Sequence, residues 1–202
     1  MKQLSVFVAA LLLFGFTTKP ISLTDQERKT AAELLQQTED AVNKSIAGLS
    51  EAQLNFKPAP DKWSVADCVK HIAVTEQGLW QMTNGSIQAA ANPEKRADIK
   101  ATDEQVVKMI ESREHKVKTA PQMEPQNTPY KSMQEALESF KTNREKLIEY
   151  VKTTNDDLRN HVASLPMGTY DSYQMVLFIA AHSSRHTQQM EEVKADPNFP
   201  KN

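Results

Sequence analysis

The sequence has one cysteine, Cys68, five glycines and only 6% aromatics in 202 residues. A single cysteine cannot form an intramolecular disulfide, so packing must hold the fold together. Cys68 itself reads most simply as a small core residue rather than a catalytic thiol, because buried cysteines are mostly inert. So little glycine and so few aromatics argue against a β-sandwich or barrel, which needs both in its turns and strands. Charge of either sign is not in excess: the net charge is -2, and no basic run is interleaved with aromatics. Nucleic acid is therefore not an expected partner. What is there is ordinary for a globular domain, with 39% hydrophobic and 25% charged residues. The length suits one domain with a real core.

The N-terminal residues stand apart. Lys2 precedes an uncharged apolar run from Leu4 to Phe16. The run is short for a bilayer span and fits the apolar region of a secretory signal peptide. Residues 1–22 are read as that signal, with cleavage between Gly15 and Ser22, and residues 23–202 as the mature domain. An uncleaved anchor is the rival reading. With Cys68 the only cysteine, a lipoprotein is excluded, and no twin arginine is present. The expected location is outside the cytoplasm, periplasmic or extracellular, with no stable membrane insertion after cleavage.

Helix-start signals punctuate the mature chain. Thr24-x-x-Glu27 is a capping box, followed by Leu34, Leu35, Val42, Ile46 and Leu49 at helical spacing and a stop near Gly48. The stretch from Leu49 to Ser64 reads as a loop packed on a bundle end. Ser64, with Asp67 three residues on, opens a second helix whose inward stripe is Val65, Cys68, Ile72, Leu79 and Met82. Residues 92–129 are polar and contain prolines. They read as a long crossover holding one short helix capped by Thr102 and Gln105. Thr128-Pro129 is the expected start of a third helix bearing Met133, Leu137, Phe140, Leu147 and Val151. After a connector, Asp171 or Ser172 caps a last helix that ends near Lys194. Four main helices and a long second connection predict an all-α, four-helix bundle in up-down-down-up order, the crossover joining helices two and three.

On the last helix Met175, Ile179, His182, His186, Gln189 and Val193 fall on steps of three and four, a core-facing stripe. Histidines four apart on one face can converge on a cation, although a pair alone is a weak signal. His71 adds a third imidazole beside the second helix's stripe. Buried imidazoles leave polar nitrogens to satisfy. A divalent cation would do so, and three nitrogen ligands leave a position open for water or substrate. His115 and His161 lie in polar stretches and read as surface residues.

"DKWSVADCVKHIAVTE" followed by "HSSRHTQQMEEVK" resembles the DinB-like superfamily, the DNA-damage-inducible four-helix bundles. The resemblance rests on Trp63, Ser64, His71, His182, His186 and Gln189, and runs from about Thr24 to Pro200. It implies the up-down-down-up bundle, a three-histidine site for a divalent metal (zinc or nickel) and frequent homodimers. Relatives of that kind include thiol S-transferases. An exported chain departs from them, because their cytosolic thiol cosubstrates are not assured outside the cell.

His71, His182 and His186 are thus the expected metal ligands. Gln189 is a candidate to orient one of them, or else a polar residue at a bundle end. Arg185 binds an anionic substrate or, more simply, pairs with a helix acid. Trp63 plugs the bundle end next to the site; Trp80 and Tyr173 pack. "REHK" and "EEVK" read as solvated helix faces. The expected function is a metal-dependent transferase or hydrolase acting on a small substrate. The alternative is a non-enzymatic, metal-binding or stress-related envelope bundle.

Overall fold

The structure, a computed structural model, describes residues 22–115 and 117–201. The expected signal peptide lies outside the described residues. Four long helices make the frame: α1 (Asp25–Ile46), α3 (Val65–Gln88), α5 (Met133–Thr153) and α6 (Ser172–Lys194). Short helices α2 (Glu51–Asn55) and α4 (Asp103–Glu111) lie in the connections, and strands β1 (Val162–Leu165) and β2 (Gly168–Asp171) precede α6. Among the described residues no helix is long and apolar enough to cross a membrane.

The caps explain most boundaries. Thr24, Ser64 and Thr102 each accept the backbone N–H three residues on, and the third residue's side chain reaches back to the cap. α1 ends at Ala47, and Gly48 then takes φ 72°, the left-handed conformation that only glycine adopts without penalty. Ser50 and Gln53 form a fourth capping box that starts α2, inside the stretch expected to be a loop. The third main helix starts at Met133 rather than Pro129, because the Ser132 side chain caps it by accepting from Glu135 N–H. The connector before α6 is not featureless either. It holds an antiparallel hairpin in the register Val162↔Asp171 to Leu165↔Gly168.

α1 and α3 each pack against both α5 and α6. Tyr173 donates to the carbonyl of Glu27 at the start of α1, and Ser45 donates to Glu191 near the ends of α1 and α6. These two helices therefore run in the same direction. Arg28, in the first turns of α1, donates to the carbonyl of Val151 in the last turn of α5, so α5 runs the opposite way. The first turns of α3 pack with the first half of α5, through Val65, Val69, Ala136 and Phe140, so those two are parallel.

The core has two main clusters along the bundle. Leu35, Leu147 and Ile179 lie in one; Val42, Ile72, Phe140 and Met190 lie in the other. Each fully buried Leu, Ile or Phe contributes about 1.5–3 kcal/mol. Between the clusters runs a polar layer with one residue from each long helix: Thr38, Glu76, Arg144 and Ser183. Arg144 is fully buried, with its Nη1 donating to Thr38 and the Leu35 carbonyl, and its Nη2 to Glu76 and Ser183.

Three sequence expectations change here. Met82 is 38% exposed and leaves the inward stripe at Leu79. His161 is buried rather than on the surface, its Nδ1 held 2.8 Å from the Ser86 carbonyl. Of "REHK", residues 113–115 are not a helix face, because α4 stops at Glu111 and Arg113 reaches across to Glu192. "EEVK" keeps its local pair, Lys194 with Glu191 at 2.8 Å. Cys68 is fully buried, and burial pushes its thiol pKa far up, so it stays protonated and inert.

Candidate metal centre

Two helices position the histidines. Ser64 fixes the start of α3, and His71 follows two turns later on its buried side. α6 carries His182 and His186 one turn apart. His182 Nε2 lies 3.3 Å from His71 Nε2 and 3.1 Å from His186 Nε2. The three candidate ligand atoms all lie within 4.8 Å of one another. His71 and His186 are buried; His182 is partly exposed.

The far sides of the rings settle the protons. His71 Nδ1 is 2.8 Å from the carbonyl of Met123, which can only accept, so that nitrogen carries the hydrogen. His186 Nδ1 is 3.0 Å from Gln189 Oε1, an oxygen that also accepts from Arg113 Nη1 at 3.4 Å. In a neutral imidazole a donating Nδ1 leaves Nε2 with a bare lone pair. Two lone pairs therefore face His182 Nε2, and one hydrogen there can serve only one of them.

The rings are held neutral. Burial lowers the pKa of His71, partly opposed by its bond to Met123. Burial lowers His182 well below the ordinary value, and a charge there is further opposed by the nearby Arg185 and Arg144 and by competition with His71 for a proton. Burial lowers His186 likewise, with His182 and His71 adding to it and Gln189 opposing. With each ring carrying a single proton, the cluster lacks a positive centre.

A cation would fit that lack. Tetrahedral zinc with bonds of about 2.0–2.1 Å to imidazole nitrogen sets its ligands roughly 3.3 Å apart, close to the two Nε2–Nε2 separations about His182. Among the described residues no fourth His, Cys, Asp or Glu joins the cluster.

The trio opens into a cavity of about 880 Å³. Trp63 covers one side, its ring 4.8 Å from that of His71 and 5.8 Å from that of His186, where it stacks. Leu79, Phe178, Met109, Ile110 and Met123 supply apolar wall, and Arg113, Arg185 and Glu192 supply charge. Arg185 lines this cavity but makes no ion pair among the described residues; its Nη2 donates to the His115 carbonyl at 2.7 Å. Trp80 and Tyr173 stand elsewhere, the first edge-on to Tyr150 at 4.9 Å, the second under Arg159 at 4.1 Å.

Sequence reasoning did not find Met123, Thr75 or Arg113. Met123 acts through its backbone carbonyl, while its side chain lies over Gly78 of α3, where an added Cβ would sit 2.8 Å from Met123 Cε. Thr75 Oγ1 lies 3.3 Å from His71 Nδ1, one turn along α3, and that spacing was legible. Arg113 holds Gln189 from the crossover, a contact with no local signature.

Comparison with known proteins agrees with this architecture. The chain is 25% identical over 152 residues to the uncharacterized protein YuaE of Bacillus subtilis (strain 168), covering 74% of this chain and 88% of that one. Among solved structures it is similar to YfiT from Bacillus subtilis, described as a probable metal-dependent hydrolase with an unusual four-helix bundle topology. The TM-score is 0.59 at 12% identity, over 93% of this chain and 97% of that one. Residues 34–190 match the profile of the DinB superfamily. The chain, on that match, belongs to the DinB superfamily.

Proposed function

We propose that this protein is a metal-dependent hydrolase of a small substrate, with a divalent cation, zinc or nickel, held by His71, His182 and His186. The observation that carries the reading is the set of three inward-facing Nε2 atoms, two of them bare because their Nδ1 atoms donate outward. Such a cation supplies Lewis-acid chemistry: it polarises an oxygen of the substrate and activates water or a thiol at neutral pH. Met123 and Gln189 hold the His71 and His186 rings in register for it. Trp63 and the apolar walls exclude bulk water from one side. With no fourth protein ligand among the described residues, a position is left for substrate, the pattern of a catalytic rather than a closed structural site.

Hydrolysis is preferred to thiol transfer because water is available wherever the domain resides. The leader, Lys2 followed by the run Leu4 to Phe16, supports an exported domain, away from cytosolic thiols. Mass determination of the mature N-terminus from secreted or periplasmic protein tests the export directly; a cytoplasmic chain retaining Met1 contradicts it.

The test of activity is a panel of chromogenic esters, amides and phosphoesters. Turnover that chelation removes and zinc or nickel restores is the expected result. Fully metal-loaded protein that turns over none of the panel favours the rival, a bundle that binds metal without catalysis. The homodimer that the family resemblance implies is read by sedimentation of the same preparation.

A further inference from the structure

We propose that the cavity selects a small monoanionic amphiphile, a carboxylate on an apolar body, and that Arg185 is the residue that seats the carboxylate. This rests on the reading of the cavity as a substrate site. Arg185 sits on α6 between two of the histidines, lines the cavity and is only 9% exposed. An arginine so buried ordinarily has a counter-charge, because an unpaired buried charge is costly. Here its one hydrogen-bond acceptor among the described residues is the His115 carbonyl; the Glu192 charge also acts on it, but both oxygens of that carboxylate are bonded to Arg113, which leaves the rest of the Arg185 fork to the cavity.

The neighbouring cation shows the contrast. Arg113 is spent on Glu192, with Nε 3.0 Å from Oε1 and Nη2 2.7 Å from Oε2, and it also touches Gln189. One cationic fork is therefore left for a ligand. Glu124 and Asp196 also line the cavity, and their charge opposes a dianion more than a monoanion. A planar fork matches a carboxylate through two parallel hydrogen bonds.

The rest of the cavity asks for an apolar body. Met109, Val117 and Met167 line it while 46%, 67% and 50% exposed, an apolar lip that the described residues do not cover. Methionine side chains adapt to ligands of varied shape. Leu79 and Phe178 continue that surface inward toward the histidines.

The experiment compares octanoate with its neutral analogue octanamide by calorimetry, on the full mature protein as purified and after chelation. Octanoate is expected to bind the chelated protein roughly tenfold tighter than octanamide, the scale of a hydrogen-bonded charge pair. Arg185→Gln should erase that preference and leave octanamide binding as it was. Arg185→Lys, which keeps the charge and loses the fork, should retain only part of it, and serves alone where Arg185→Gln does not fold. Equal binding of acid and amide overturns the proposal, as does a full preference in either variant. A preference seen only with metal present also overturns it, since the cation would then be the anion seat. Because the decisive arm is metal-free, absence of metal from the protein would sink the proposed function and leave this result readable.

Discussion

Arg144 grips Glu76 with both sides of its guanidinium, Nε to Oε1 at 3.1 Å and Nη2 to Oε2 at 2.5 Å, in the middle of the bundle. Burial pushes the Glu76 carboxyl pKa up, and Arg144 opposes this through charge and hydrogen bonding. The same guanidinium donates to Ser183, the residue after His182, at 2.8 Å. Glu76→Gln removes the counter-charge and leaves Arg144 buried. Stability is expected to fall by about 3–5 kcal/mol, read from urea unfolding followed by circular dichroism. A loss under about 1 kcal/mol, the value of an exposed pair, would show that the pair is not buried in solution.

Gln189 accepts the His186 Nδ1 proton at 3.0 Å and is itself touched by Arg113. Gln189→Leu keeps the bulk and removes the acceptor. Zinc affinity, measured by competition with a chromophoric chelator, should drop by about 10–100-fold, the usual effect of removing such a partner. Unchanged affinity would return Gln189 to the bland role of a polar residue at a helix edge.

At the other end of α6 the chain is tied by Arg159, which binds Glu27, Asp103 and Asp171. Partial burial raises the Glu27 carboxyl, but Thr24 N–H and Arg159 more than offset it, and its pKa lies below the ordinary 4.5. A carboxylate with a depressed pKa contributes stability that is present above its unfolded pKa. That contribution is lost as pH falls from about 4.5 through the lower folded value. Thermal melting should therefore fall with pH in that window, and Glu27→Gln should flatten the fall. An equally steep curve in the variant would contradict the assignment.

The histidines carry the sign expected of bases with lowered pKa values. All three lie below the ordinary 6.5, so the unfolded chain takes up protons first as pH drops. Stability and metal retention should both decline below about pH 6.5. Gel filtration at stepped pH, with metal assayed in the protein peak, reads this. Metal retained unchanged to about pH 4 would point to ligands other than imidazole.

Much of this was legible because its causes are local. Thr24, Ser64, Thr102 and Asp171 announce helix starts within three residues of themselves, and Gly48 announces a stop. The histidine trio was visible as a pair on one helical stripe and a third imidazole beside another, on helices that could face each other across the bundle. Arg144 falls on the stripe of Leu137, Phe140, Leu147 and Val151, and Glu76 lies one turn past Ile72. Two opposite charges on apolar stripes were a readable sign of the buried pair. The capping box at Ser50 was equally readable, and the two prolines after it drew attention to a loop. The hairpin was not legible, since each of its strands has only four residues. Nor was the Met123 carbonyl, because a backbone acceptor 52 residues from its donor leaves no pattern. His161 misled because its burial comes from the hairpin and from Ser86, not from its own polar neighbours.

Elemental analysis of tag-free mature protein, compared with His71→Ala, His182→Ala and His186→Ala, tests the centre most directly. The account predicts close to one zinc or nickel per chain in the parent and loss of that metal in each variant whose helical signal is intact. A parent free of divalent metal, or a His182→Ala protein with undiminished stoichiometry, would contradict it.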